Sequence, residues 1–124
     1  MDWLTIDQIQ KASKKSRKAS LECSREHWRQ LSEATAKELR QAWLSGSVVI
    51  GSEDCSLCQR YYHDILGCGR CPLNIAGHRC ITMGSIWRRA QRHFHAILDD
   101  NDTKAWRSWK RAAKAMYKKL CELK

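Results

Sequence analysis

Five of the seven cysteines in this chain lie in one stretch: Cys55-Ser-Leu-Cys58, then nine residues, then Cys68-Gly-Arg-Cys71-Pro72, and Cys80 after eight more. Each Cys-x-x-Cys pair lets two sulfurs grip one metal ion from a single tight turn. The gap of nine is shorter than the roughly 15–20 residues of common zinc ribbons, so a compact loop would join the two grips. Gly67 and Gly69 allow the positive φ that such a turn needs, and Pro72 stiffens its exit. The simplest ligand set is Cys55, Cys58, Cys68 and Cys71. Cys80 can substitute for one of them or serve as a buried hydrophobe or a free thiol. His63 and His78 are less favoured as ligands and better suited to donating an N–H to a thiolate. Zinc is the expected ion. A 4Fe–4S cluster is the alternative, because it takes the same four thiolates.

Other uses of cysteine fit less well. The count is odd and Met1-Asp2-Trp3 begins no basic-then-apolar leader, which argues against a secreted disulfide framework. No alternation of strands and helices surrounds the pairs, as a thioredoxin-like redox motif would require. Cys23 and Cys121 fall within helical patterns and read as core residues.

The length of 124 residues suits one domain with a modest core, for which a metal staple would matter. Six tryptophans, one phenylalanine and three tyrosines supply much of that core. No apolar run approaches the roughly 18 residues of a membrane span, so the expectation is an intracellular protein away from the membrane. The net charge of +10 is uneven. Residues 1–21 carry five basic and two acidic side chains, residues 22–82 balance at seven and seven, and residues 102–124 carry eight and two. Basic ends on a neutral middle favour an anionic partner, with nucleic acid first among them and DNA ahead of RNA.

The expected fold is mainly α: about three or four helices packed around a cysteine-rich metal knuckle, with at most a short β-hairpin. Residues 1–21 read as a basic arm or short helix, and 22–124 as the helical domain, with the knuckle at 55–80. Thr5 and Gln8 have capping-box spacing ahead of Ile6 and Ile9. The serine-rich basic run that follows lacks the glycine turn and the apolar content of a helix-turn-helix. A second helix is predicted from about Ser24 to Leu44 on the stripe Trp28, Leu31, Thr35, Leu39 and Ala42, ended by Gly46. Val48-Val49-Ile50 reads as a strand with Ile81 as a possible mate. A third helix, capped by Ser85, runs to about Leu98 with Ala90, Phe94 and Ile97 inward. In the last helix Trp106, Trp109, Ala113, Met116 and Leu120 form a core stripe, while Arg107, Arg111, Lys114 and Lys118 form a cationic rail on another face.

The order Trp28, Leu31, Gly46, Cys55-x-Leu57-Cys58, Tyr61-Tyr62, Cys68-x-x-Cys71-Pro72-Leu73, Gly77-x-x-Cys80, Trp87 and a basic helix through Met116 and Leu120 resembles a type of small cysteine-motif protein encoded by bacteriophages and prophages. The similarity covers most of residues 26–121. It implies a phage accessory protein with a metal-type cysteine cluster in the bacterial host cytoplasm; the type carries no assigned biochemical activity, and phage accessory proteins often act on host defence, transcription or replication machinery.

Catalytic patterns are weak. Tyr62-His63-Asp64 beside the cysteine pairs invites comparison with HNH nucleases, but no Asn-x-x-His follows, and the His-x-Glu of zinc deaminases does not occur. The expected function is therefore non-catalytic binding of nucleic acid, with Arg107, Lys110, Arg111, Lys114 and Lys118 on phosphates, helped by Lys14, Lys15, Arg17 and Lys18. Arg88, Arg89 and Arg92 can extend this track. The competing expectation is an inhibitor or adaptor that binds a host protein. A metal-dependent nuclease comes last.

Overall fold

The computed structural model describes residues 1–48, 50, 55–61, 70–78, 84–99 and 103–123. Among them the chain is mainly helical and forms no strand, with α1 at Ile6–Lys15, α2 at Arg17–Glu33, α3 at Ala36–Leu44, α4 at Ser56–Tyr61, α5 at Pro72–Ile75, α6 at Ile86–Asp99 and α7 at Thr103–Glu122.

Local sequence explains most of the boundaries. The Thr5 hydroxyl accepts the Gln8 N–H at 3.2 Å while the Gln8 side chain accepts the Thr5 N–H at 2.9 Å, closing the expected capping box of α1. Ser16 is extended and its Oγ accepts the Ala19 N–H at 3.0 Å, so one residue both ends α1 and caps α2. α3 ends in a Schellman turn. Gly46, at φ 75°, donates to the Trp43 carbonyl at 3.1 Å, and Ser47 donates to Ala42 at 2.8 Å.

The helix read as continuous from Ser24 to Leu44 is two helices. Thr35 and Glu38 form a second capping box, with bonds of 3.2 and 3.0 Å, and Ala34 turns extended ahead of it. Thr35 therefore sits at a break and not within an apolar stripe. Its spacing to Glu38 satisfies the first N–H groups of α3, which compensates for interrupting the ladder. With this break, α1, and the short α4 and α5 inside the cysteine stretch, the described residues form seven helices where about three or four were expected. Val48 and Ile50 are buried without forming a strand, and Ile81 lies outside the described residues.

α7 is the centre of the packing, with α6 on one side and α2 on the other. Trp109, fully buried, lies with its ring centroid 5.3 Å from Phe94 of α6 and 6.4 Å from Trp28 of α2. Leu31, Leu39, Ile97, Met116 and Leu120 complete this core, each aliphatic side chain contributing about 1.5–3 kcal/mol by leaving water. Two cations tie α2 to α7 in antiparallel sense. Lys110 Nζ donates to the Ser32 and Ala34 carbonyls at 2.7 and 2.8 Å, where α2 ends, and Arg25 donates to Leu120 at 2.8 Å and to Leu123, where α7 ends. Each helix thus supplies the cation that its neighbour's carbonyl terminus favours.

α1 is held differently. Only Ile9 among its apolar residues is fully buried, and serines make up the rest of the contact. Ser20 Oγ, with no exposure, reaches the Ser16 carbonyl at 2.9 Å and the Ala12 carbonyl at 3.2 Å. Ser24 and Ser56 hydroxyls pair at 2.9 Å, and Ser56 donates to the Ser20 carbonyl. Small hydroxyl side chains let α1, α2 and α4 approach closely, and the Ser13, Ser20, Ser24 and Ser56 hydroxyls in this seam each find a partner. Gln30 clamps the leading segment by accepting the Leu4 N–H at 3.1 Å and donating to the Asp2 carbonyl.

Candidate metal centre and nucleic-acid interface

Cys55 immediately precedes α4 and is buried, and its sulfur accepts the Cys58 N–H at 3.4 Å. The thiol is pulled down to about 7, chiefly by the Cys58 thiol that bonds to it, then by the backbone N–H groups of Cys58 and Leu57 and the Ser24 hydroxyl, against burial that pushes it up. Donors converging on one sulfur stabilise its thiolate, the form that binds a metal. The chemistry of this first pair therefore fits a metal grip. Cys71 is buried as the residue that opens α5, with Pro72 in the first helical position. α5 closes in its own Schellman turn, Gly77 at φ 87° donating to Asn74 at 2.9 Å and His78 donating to Leu73 at 2.8 Å.

Cys68, Cys80 and His63 lie outside the described residues, as do Gly67 and Gly69. Among the described residues no three metal-ligating side chains come together. His78 is half-buried and lies within electrostatic reach of Glu122 near the end of α7. Cys23, read from the sequence as an ordinary core residue, is buried but borders the first pair. Burial raises its thiol, the Ser56 hydroxyl lowers it, and Cys55 is close enough to raise it further. Cys121 is exposed and not a core residue, its thiol bonding to the Tyr117 hydroxyl. One position beyond the buried Leu120, it has turned past the apolar stripe to the solvent side of α7.

The cationic residues separate into three groups. Arg107, Arg111, Lys114 and Lys118 are exposed along one side of α7, as expected from their spacing of three and four. Lys110 is different: besides its two carbonyl acceptors, its ammonium lies 5.2 Å from the centroid of the Trp106 ring. Burial and Lys114 lower its affinity for a proton, opposed by Glu33 and Glu38. Lys110 thus joins α2 to α7, and its geometry is that of a helix-terminus cap. Lys14, Lys15, Arg17 and Lys18, at the end of α1 and the start of α2, are exposed, with Lys18 4.0 Å from Glu22. Lys14 shares an open groove of about 610 Å³ with Gln10, Ser13, Gln59, Arg60, Tyr61 and Arg70, in which Arg60 donates to the Ser13 carbonyl at 2.9 Å.

The third group joins Arg88, Arg89 and Arg92, expected from the sequence to extend the α7 track, to His93 and Ser108, which were not expected there. Arg89 and His93 of α6 line one groove of about 270 Å³ together with Ser108 and Arg111 of α7. Arg88 and Arg92 are exposed on the same helix. For His93 the one available signal was its helical spacing from Arg89, which says nothing of Ser108 on the facing helix. No helix among the described residues is long and apolar enough to cross a membrane. No protein-family model matches the chain, and neither a curated protein nor a solved structure shows significant similarity to it.

Proposed function

We propose that the protein is a non-catalytic nucleic-acid-binding module, with double-stranded DNA its preferred partner, that works as a phage-type accessory protein and is stabilised by zinc at its cysteine knuckle. The observation that carries the binding is the two-sidedness of α7. Its inner face is the aromatic and aliphatic core, and its outer face exposes Arg107, Arg111, Lys114 and Lys118, four cations in register for a phosphate track. Such contacts release counterions and give affinity that falls steeply with salt and depends little on sequence. Charge reversal of two of them, Arg111→Glu with Lys114→Glu, is expected to weaken duplex binding by more than about a hundredfold at low salt and to flatten the salt slope. Unchanged gel-shift affinity of a folded double variant would remove α7 from the interface.

For the knuckle, Cys55 and Cys58, with Cys68 and Cys71, would hold zinc, which would lend its binding energy to folding. The thiolate-stabilising surroundings of Cys55 support this assignment. Elemental analysis of protein purified without oxygen is expected to give about one zinc per chain. Brown protein containing iron and sulfide would make the site a 4Fe–4S centre instead.

One feature favours a second reading, an adaptor that binds a host protein. Leu44 is 83% exposed at a groove of about 290 Å³ that it shares with Arg40, Trp43, His95 and Leu98, an apolar surface with a polar rim of the kind protein partners use. Co-purification of one host protein that is lost in Leu44→Asp, with DNA binding absent, would select this reading.

A further inference from the structure

The α6–α7 groove combines features that a solvated basic surface need not have. Arg89 and Arg111 are 22 positions apart in sequence and meet only because α6 packs on α7. His93 and Ser108 line the same groove, together with Ile86, Ala112 and Ala115. Ser108, Ala112 and Ala115 recur at steps of four and three, so one strip of α7 carries only small side chains and the groove stays open. Longer residues there would fill it. The charged groups that His93 senses are Arg92 and Arg89 on its own helix and Arg111 across the groove, all of one sign. Arg89 makes a 3.4 Å contact with the Gly84 carbonyl, which occupies one of its five N–H donors. Like charges held together by packing leave a deficit that an anion relieves, and planar guanidinium groups suit the paired oxygens of a phosphate.

We propose that this groove seats one phosphate group of the nucleic-acid backbone, clamped by Arg89 from α6 and Arg111 from α7, with the His93 imidazolium and the Ser108 hydroxyl as further donors. The proposal rests on the nucleic-acid reading above and gives it a fixed point: a seat formed between two helices and not by the exposed rail alone. It also gives binding a pH dependence. In the free protein burial and the three arginines hold the His93 proton affinity below its ordinary value, so the ring is neutral at neutral pH. A phosphate in the groove supplies the opposite charge and favours the imidazolium. Proton uptake and phosphate binding are then mutually reinforcing.

The test uses the full chain. Anisotropy of a short labelled DNA duplex at fixed salt is expected to show roughly fivefold tighter binding at about pH 5.5 than at about pH 7.5, a gain that His93→Gln removes. Ala115→Leu, which plugs the groove without changing any charge, is expected to weaken binding severalfold. In parallel, NMR titration of the wild-type His93 ring with inorganic phosphate is expected to raise its midpoint. If phosphate leaves that midpoint unmoved, or His93→Gln keeps the whole pH gain, the seat is overturned although DNA binding survives. If phosphate moves the midpoint and no duplex binds even at low salt, the seat stands and the nucleic-acid reading fails.

Discussion

The two edges of α7 use cations in opposite ways. On the edge turned to α2, positive charge is engaged. Lys110 closes the end of α2, Arg25 closes the end of α7, and Arg29 is held by Glu26 and Glu33, the latter at 2.6 Å. On the edge turned to α6, Arg89, Arg92 and Arg111 gather around His93. A net charge of +10 therefore overstates the charge exposed on the surface, and residues of one type divide into helix caps and exposed groups according to the neighbouring helix. The histidines of the two neighbours differ in the same way. His27 of α2 is pushed down to about 4 by burial alone, and its Nδ1 has no hydrogen-bond partner among the described residues. His93 of α6 is lowered by burial together with arginines.

Acid separates the two neighbours of α7 most. His27 has a folded proton affinity below its unfolded value, so its contribution to stability is complete above about pH 6.5 and is lost as pH falls through that value toward about 4. The full loss is on the order of 3 kcal/mol. Urea unfolding of His27→Phe is expected to show a much flatter dependence across that window, because no hydrogen bond of Nδ1 is forfeited; an unchanged slope would assign the acid sensitivity to other groups. Next in size is Lys110→Met. It keeps the aliphatic stem over Trp106 but leaves the Ser32 and Ala34 carbonyls without their donor, and is expected to cost about 1–3 kcal/mol in unfolding free energy with duplex affinity nearly unaffected. A large affinity loss without destabilisation would return Lys110 to the phosphate track. Smallest in stability is Arg111→Gln, expected to change unfolding by less than about 0.5 kcal/mol while weakening DNA severalfold. Destabilisation beyond that would show that Arg111, too, is engaged in holding the fold.

Much of the helical framework was legible. The capping box at Thr5, the stop at Gly46 and the inward stripe of Trp109, Ala113, Met116 and Leu120 are local patterns, and local hydrogen bonds and helical periodicity enforce them. The break at Thr35 was encoded just as locally by Glu38, but the apolar stripe running across it masked the signal. The packing of α1 was obscured for a different reason. Its seam is made of Ser13, Ser20, Ser24 and Ser56, and hydropathy patterns register apolar side chains and not hydroxyls that pair with carbonyls.

The candidate sites show the same division. The Cys55-x-x-Cys58 spacing and the exposed face of α7 are properties of one turn and of one helix, and both can be read from local residue order. Which cations stay exposed depends on the helices packed beside them. Lys110 and Arg111 are adjacent and equally charged, yet helical geometry sets them about 100° apart. One side chain meets the carbonyl end of α2 and the other meets Arg89 and His93, because charge is a property of the residue and its counter-charge a property of the fold.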